Sequence, residues 1–280
     1  MTNQKKRILE SAGYIKSRAP KNFNADTALI AEHHYKFPKE IKILSKINFK
    51  KVPPSFKGIE NVNGCEILFS KIEKKDVIII KGRLHFYDGI SMRDIGHIIY
   101  VLKTLGIKKI ISIDEVALLN PRFKRGELAL IYDHINLMGD NPLIGENDES
   151  LGLRFPDMSN AYDKNLSSKT YKLFQDNKIK INESVFLGII GPESETEAEA
   201  RFYREIGSDV LGYSIVPENI TAVHAHIKFL GIGLIARELI ADKMLDDNTS
   251  EEIKEKEKIK FRGIANNELN KVLVEMVNKL

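Results

Sequence analysis

Apolar and polar positions along the chain follow two periods. Short runs that are apolar at every position, such as residues 77–80, are typical of strands buried on both faces of a parallel sheet. Longer stretches in which apolar residues recur every three to four positions indicate helices. One of these runs from Ser91 to Gly106, where Ser91 and Asp94 have capping-box spacing and Gly106 supplies a helix stop.

The pattern predicts seven strands and six helices, and it assigns no element to residues 37–47. The predicted strands cover residues 26–31, 77–80, 109–113, 128–132, 185–191, 209–213 and 230–236. The predicted helices cover residues 3–17, 91–105, 168–177, 194–206, 217–228 and a final segment with Leu269, Val272, Leu273, Met276 and Val277 on one face.

Strands alternate with helices over the whole chain and no linker separates them. This order predicts a single α/β domain over residues 1–280, built on a mixed, mainly parallel twisted sheet flanked by helices. Residues 136–159 are dense in Gly, Pro, Asn and Asp and form a long irregular segment. Loops of that length inside a compact domain are usually functional.

Composition narrows the class of protein. Of the 280 residues 42% are hydrophobic and 29% charged, which is enough to build a large core, and the net charge of +4 is spread along the chain. We therefore expect no nucleic-acid partner. A single cysteine, Cys65, excludes an internal disulfide and a cysteine-cluster metal site, and it suits a reducing cytosol. Apolar runs are too short for a membrane span and the N-terminus lacks a signal-peptide core, so we expect a cytoplasmic protein with no membrane partner.

Four ordered segments carry a resemblance to a known family. Residues 81–89 read KGRLHFYDG, and residues 119–148 read LNPRFKRGELALIYDHINLMGDNPLIGEND. Residues 154–163 read RFPDMSNAYD, and residues 191–218 read GPESETEAEARFYREIGSDVLGYSIVPE. In sequence and order these segments resemble the trimeric purine nucleoside phosphorylases.

The resemblance implies a nucleoside-phosphorylase fold, a homotrimer and a pentosyltransferase activity in purine salvage. In that reaction phosphate displaces the purine from C1′ of a purine nucleoside, which yields free base and ribose 1-phosphate. Inorganic phosphate would be a co-substrate, and neither a metal nor an organic cofactor is expected.

The resemblance also assigns roles to residues of this sequence, and Arg83 fits its role on chemical grounds because its guanidinium is a fixed fork of donors suited to phosphate. The implied phosphate ligands are Arg83, His85, Ser214 and His33, where His33 stands in place of a family serine. The implied purine contacts are Glu195, Arg237 and Ser194, and the implied ribose contacts are Tyr87, Tyr213 and Phe155, with Phe155 reaching across the trimer interface. His85, Glu195 and Arg237 are the catalytic candidates.

Each assignment has a purely structural alternative. Glu193, Glu195, Glu197 and Glu199 crowd a predicted helix start, where negative charge complements the helix dipole. The tyrosines could be packing residues, and His97, His134, His224 and His226 are interpreted as packing residues. A metal site at residues 32–34 is disfavoured because adjacent histidines on extended backbone point to opposite faces.

The sequence departs from the family pattern at the phosphate site. Residues 32–35 read EHHY where the family has a glycine-serine loop, and residues 113–118 read IDEVAL where it has T-N-A-A-G-G. Glu115 thus replaces an alanine whose backbone meets the phosphate. A carboxylate about 4 Å from phosphate would oppose its binding by roughly 4 kcal/mol per unit charge at an effective dielectric of about 20.

The base site is altered as well, since Ser194 replaces an aromatic stacking residue and Arg237 replaces an asparagine that contacts N7. Three functions therefore stay open. The chain could be a working phosphorylase, a nucleoside hydrolase in which Glu115 or His33 activates water, or a non-catalytic trimer that keeps the fold.

Overall fold

A computed structural model describes residues 2–53, 64–244 and 249–280, and within these ranges the chain forms nine strands and seven α-helices. The strands are β1 (Ala25–Ala31), β2 (Ile41–Asn48), β3 (Glu66–Ile72), β4 (Lys75–Lys81), β5 (Lys109–Leu118), β6 (Leu128–Asn136), β7 (Ile181–Gly188), β8 (Val210–Gly212) and β9 (Lys228–Glu238). The helices are α1 (Asn3–Lys16), α2 (Met92–Thr104), α3 (Lys164–Asp176), α4 (Glu197–Glu205), α5 (Ile215–His224), α6 (Ala241–Met244) and α7 (Glu251–Lys279).

All the described strands belong to one sheet with the order β2-β3-β4-β1-β5-β8-β7-β6-β9. An additional pairing of β5 with β9 closes the last five strands into a ring. Five strand pairs are parallel and four are antiparallel. The prediction of one α/β domain with a mixed sheet flanked by helices is confirmed. Its mainly parallel character is not confirmed, since parallel pairs outnumber antiparallel ones by only one among the described strands.

The helices cover both faces of the sheet. Strand β4 shows why this arrangement goes with an uninterrupted apolar run in the sequence. Ile78 and Ile80 join a core cluster with α1, α2 and α5, whereas Val77 and Ile79 join a second cluster with α3 and α7. Side chains alternate between the faces of a strand, so a strand covered on both faces is apolar at every position.

The observed elements depart from the predicted ones in several places, and three of these have a clear physical cause. Strand β5 continues to Leu118 instead of ending at residue 113, because pairing with β9 extends along its whole length. Helix α4 begins at Glu197, since Thr196 and Glu199 form a capping box. Residues 41–48, left unassigned by the pattern, form β2, whose mostly exposed residues reflect its position at the sheet edge.

The irregular segment after β6 is confirmed. The structure describes every residue between Asn136 and Lys164, and none of them lies in a helix or strand. Among the described helices, none has the length and apolar character needed to cross a membrane.

Candidate active site

The ends of several strands bring charged side chains to one edge of the sheet. Glu32 follows β1, Arg83 and His85 follow β4, and Asp114 lies in the second half of β5, which pairs in parallel with β1. The carboxyl ends of parallel strands meet at one edge, where α/β proteins usually form their sites. Here they border a cleft of about 890 Å³.

This cleft gathers most of the residues that the sequence nominated. Its lining includes His33, Arg83, His85, Tyr87, Ser194, Glu195, Tyr213 and Arg237. It also includes two carboxylates to which no role had been assigned, Glu32 and Asp114.

Arg83 is buried at the floor of the cleft, with 1% of its side chain exposed. Its Nε donates to Glu218 at 2.8 Å, and its terminal nitrogens donate to Ser112 Oγ and the carbonyl of Ile113, both at 2.6 Å. Longer contacts of 3.4 and 3.3 Å reach Asp114 and Glu32. The guanidinium that was expected to face a phosphate is therefore surrounded by three carboxylates of the chain itself.

Two further phosphate candidates, Ser214 and His85, have carboxylate partners as well. Ser214 donates to Asp114 Oδ2 at 2.5 Å, and His85 Nε2 lies 3.4 Å from Glu32 Oε1. Ser214 sits at the N-cap of α5, and β8 runs antiparallel to β5 just before it, which carries the serine back beside Asp114. In this conformation, carboxylates of the chain itself accept from all three expected phosphate ligands, Arg83, His85 and Ser214.

His33 lies apart from these three residues. It is exposed, and its ring makes an edge contact with His34 at 5.2 Å between centroids.

Glu115 also lines the cleft, but its carboxylate is not paired with Arg83. Its carboxylate pairs with Arg262 of α7 at 3.0 Å, and His34 lies 3.6 Å away. Successive side chains of a strand point to opposite faces, so Asp114 turns toward Arg83 while Glu115 turns toward α7. The negative charge beside the expected phosphate position therefore comes from Asp114.

The two new carboxyl groups differ in acidity. Burial raises the pKa of Asp114 to about 6, against the attraction of Arg83 and with a further upward contribution from Glu32. Burial would raise the pKa of Glu32 too, but the hydrogen bond from His85 and the charge of Arg83 lower it to about 2. Near neutral pH Glu32 is ionised and Asp114 is a carboxylate able to take up a proton.

Glu32 also acts on His85. Burial lowers the pKa of His85, but the hydrogen bond to Glu32 and its charge outweigh this and raise the pKa above the ordinary value. The imidazole ring stacks on Tyr87 with 4.6 Å between centroids and 10° between planes.

A second polar cluster forms the expected base site. Tyr213 donates to Glu195 at 2.9 Å, Arg237 donates to the Tyr213 hydroxyl at 2.9 Å, and Arg237 contacts Glu195 at 3.3 Å. The Glu195 side chain is 1% exposed, whereas Glu193 is exposed at the surface. Glu195 precedes the Thr196 cap of α4, so it lies outside the helix and is not one of its first-turn charges.

The tyrosines connect the two clusters. Tyr87 packs against His85 of the first cluster and makes an edge contact with Tyr213 of the second, with 6.0 Å between ring centroids. Two of the three predicted ribose residues, Tyr87 and Tyr213, therefore lie between the predicted phosphate and purine residues, in the order of the parts of a nucleoside.

Phe155 is not part of the cleft of its own chain. It lies in the irregular segment after β6, is 87% exposed, and has Arg154 above its ring at 5.8 Å.

Four other histidines were predicted to be packing residues. Three of them lie within hydrogen-bond distance of a hydroxyl group of the chain. His97 lies 2.9 Å from Ser11 Oγ, His224 lies 2.9 Å from the Tyr100 hydroxyl, and His134 lies 3.2 Å from the Tyr162 hydroxyl. Within the part of the chain that the structure describes, no group of three or more His, Cys, Asp or Glu side chains could hold a metal ion.

Comparison with known proteins agrees with this geometry. Residues 36–278 match the Phosphorylase superfamily. The chain is 37% identical over 265 residues to purine nucleoside phosphorylase 1 of Bacillus subtilis (strain 168), covering 92% of this chain and 95% of the relative. The chain belongs to the purine nucleoside phosphorylase family.

Other members of the purine nucleoside phosphorylase family show the same relationship. The mouse (Mus musculus) enzyme is 35% identical over 63% of this chain and 63% of its own length. The crystal structure of the Schistosoma mansoni enzyme in complex with inosine superimposes with a TM-score of 0.86 at 25% identity, covering 98% of this chain and 96% of that one.

Sequence reasoning assigned no role to the two carboxylates, Glu32 and Asp114, that contact Arg83 in this cleft. In the sequence, Glu32 replaces a family glycine and Asp114 replaces a family asparagine. Glu115 was nevertheless expected to oppose phosphate, because it replaces a residue whose backbone meets phosphate. The signal that could have found Asp114 is the alternation of β5, which puts Ser112 and Asp114 on one face.

Proposed function

We propose that this protein cleaves the N-glycosidic bond of purine nucleosides and transfers the ribosyl group to inorganic phosphate. The products are a free purine and ribose 1-phosphate. The observation that carries the proposal is the arrangement of one cleft, in which Glu195 and Arg237 lie at one end, Arg83 and His85 at the other, and two tyrosines between them. Ser214 is bonded to Asp114, which lines the same end as Arg83. The 37% identity to a purine nucleoside phosphorylase, over 92% of this chain and 95% of that protein, supports it.

The base end suits a departing purine. Glu195 is a buried acceptor for N–H groups on the purine ring, and Arg237 carries only donors, which suit N7 and a 6-oxo group. As the glycosidic bond breaks, negative charge builds on the purine and the guanidinium stabilises it. When a purine binds, its hydrogen bonds must replace some of those that Glu195, Tyr213 and Arg237 now make with one another.

The anion end must rearrange before phosphate binds. Phosphate oxygens would take the partners that Glu32 and Asp114 hold now, and the two carboxylates would stay nearby. At about 4 Å and an effective dielectric of about 20, each opposing unit charge costs roughly 4 kcal/mol. We therefore propose that phosphate binds weakly and that its KM is high.

The assembly proposed is a homotrimer in which Phe155 covers the sugar bound by a neighbouring subunit. Ile144, Leu153 and Phe155, which are 62%, 65% and 87% exposed on the long segment after β6, support this placement, because a group of large exposed apolar side chains suits an interaction surface. We further propose a cytoplasmic enzyme that takes phosphate as its co-substrate and needs neither a metal nor an organic cofactor.

The test is an incubation of the purified protein with inosine, guanosine, adenosine or 5′-methylthioadenosine, with and without phosphate. Release of free base together with ribose 1-phosphate, rising with phosphate up to tens of millimolar, is the expected result. If no nucleoside yields ribose 1-phosphate at any phosphate concentration, phosphorolysis is excluded. A trimer that releases no base at all would favour the non-catalytic alternative.

A further inference from the structure

We propose that the Glu32 and Asp114 carboxylates hold and activate a water molecule, so that this cleft also hydrolyses purine nucleosides without phosphate. The inference rests on the proposed function for the placement of the nucleoside, and it assigns a second nucleophile to the same site. In this reaction Asp114 is the general base, and Glu32 is the ionised neighbour.

The first step of the argument is the position of the two carboxylates. Both line the cleft at the end where the nucleophile must enter, and both contact Arg83 Nη1, at 3.3 Å for Glu32 and 3.4 Å for Asp114. Arg83 therefore brings the two acidic groups to the same place beneath the ribose.

The second step concerns what such a site attracts. Arg83 is matched by three carboxylates, those of Glu32, Asp114 and Glu218, so the floor repels a free anion in this conformation. A water molecule carries no net charge, is small, and can donate hydrogen bonds to carboxylate oxygens. Of the two nucleophiles, water fits the cleft without displacing Glu32 from His85 or Asp114 from Ser214.

The third step is the chemistry. The water oxygen forms a bond to C1′ as the C1′–N9 bond breaks, and the electron pair of that bond leaves with the purine. The water gives one proton to the Asp114 carboxylate, and the purine takes up a proton from solvent, so the products are ribose and neutral free base. The sugar passes through an oxocarbenium-like state, and the negative charge of Glu32 and Asp114 stabilises that positive charge.

The acidity of the pair fits these roles. With its pKa raised to about 6 by burial, Asp114 is largely ionised at pH 7 and basic enough to take a proton from an attacking water. Glu32, whose pKa is lowered to about 2 by His85 and Arg83 against the effect of burial, keeps its charge throughout.

The experiment compares two neighbouring carboxylates of β5. Wild type, Asp114→Asn and Glu115→Gln are incubated with inosine in phosphate-free buffer and again with about 50 mM phosphate, well above the usual upper KM of about 1 mM. Base release is followed by chromatography, and the sugar product is identified as ribose or ribose 1-phosphate. Glu115→Gln is the matched control because it removes a carboxylate one residue away that pairs with Arg262 on the other face of the strand.

We expect wild type to release hypoxanthine and ribose without phosphate. Asp114→Asn should lower this rate by about 100-fold or more, the usual contribution of a general base, and Glu115→Gln should change it by less than about threefold. Because an asparagine stands at this position in the family pattern, Asp114→Asn should keep its phosphate-dependent activity and lower the KM for phosphate. Glu32→Gln is the second variant, and its phosphate-free rate should fall as well.

The contrary results separate the two proposals. Ribose 1-phosphate formation with no phosphate-free release overturns this inference and leaves the phosphorylase function standing. Phosphate-free release of ribose with no ribose 1-phosphate overturns the phosphorylase function and supports the inference. Equal losses in Asp114→Asn and Glu115→Gln overturn the role of Asp114, and release of no base under either condition overturns both proposals.

Discussion

Individual residues decide the chemistry of this cleft, and the base end depends most on Glu195. Its carboxylate is buried and accepts from Tyr213, whereas Glu193 is exposed two residues earlier. Hydrogen bonds to a charged group are worth about 1.5–3 kcal/mol. Glu195→Ala should therefore lower kcat/KM for inosine by about 10- to 150-fold.

Glu193→Ala is the matched control for that substitution and should change kcat/KM by less than about twofold. Steady-state kinetics at saturating phosphate measures both variants. Similar losses in the two variants would favour the interpretation that the acidic residues before α4 act only through the helix dipole.

The pH dependence of phosphate-free base release follows from Asp114. The residue accepts a proton only as a carboxylate, and burial raises its pKa to about 6. Release should thus be full above about pH 7 and fall as the pH drops through about 6. The rate measured between pH 4.5 and 8.5 gives the midpoint.

His85 titrates nearby, because Glu32 raises the pKa of its imidazole against the effect of burial. His85→Gln should keep the acid limb if Asp114 causes it. Glu32→Gln should move the midpoint to lower pH, since the charge of Glu32 is one cause that raises the pKa of Asp114. A limb that vanishes in His85→Gln would assign the titration to the histidine.

At the scale of elements, the start of α4 sets where Glu195 points. Thr196 and Glu199 exchange two hydrogen bonds in a capping box, which fixes the first helical residue at Glu197. Losing a threonine cap costs about 1 kcal/mol. We expect Thr196→Ala to lower the free energy of unfolding by that amount, as measured by urea denaturation, while Ala198→Ser in the same turn costs less.

The Thr196→Ala variant should also raise the KM for inosine, because Glu195 is the residue directly before the cap. A variant with lowered stability and an unchanged KM would show that the fold holds Glu195 through Tyr213 and Arg237 alone.

At the scale of the whole molecule, the prediction concerns assembly. Light scattering at micromolar concentration should give a mass three times that of one chain. Phe155→Ala should raise the KM for nucleoside several-fold with little change in mass, because the side chain is expected to cover the neighbour's sugar. A monomeric mass at these concentrations would contradict the trimer, and an unchanged KM would contradict the role of Phe155.

The sequence by itself determined the fold class, and its motifs nominated many of the residues that line the cleft. Short β-branched apolar runs such as residues 77–80 are typical of strands covered on both faces, and helical periodicity over α2 indicates a buried side. The motifs around Arg83, Glu195 and Ser214 placed these residues in one family site, because such patterns specify local backbone and residue type. The tertiary structure then brought Arg83, Glu195 and their neighbours into one cleft.

Only the tertiary structure decided which charges face each other. Asp114 and Glu115 are adjacent in sequence and alike in chemistry, and the register of β5 sends one to Arg83 and the other to Arg262. Glu32 and Glu218 are far apart in the sequence, and both contact the Arg83 guanidinium. Ion pairing depends on distances of a few ångströms between distant segments, and residue order alone does not contain those distances.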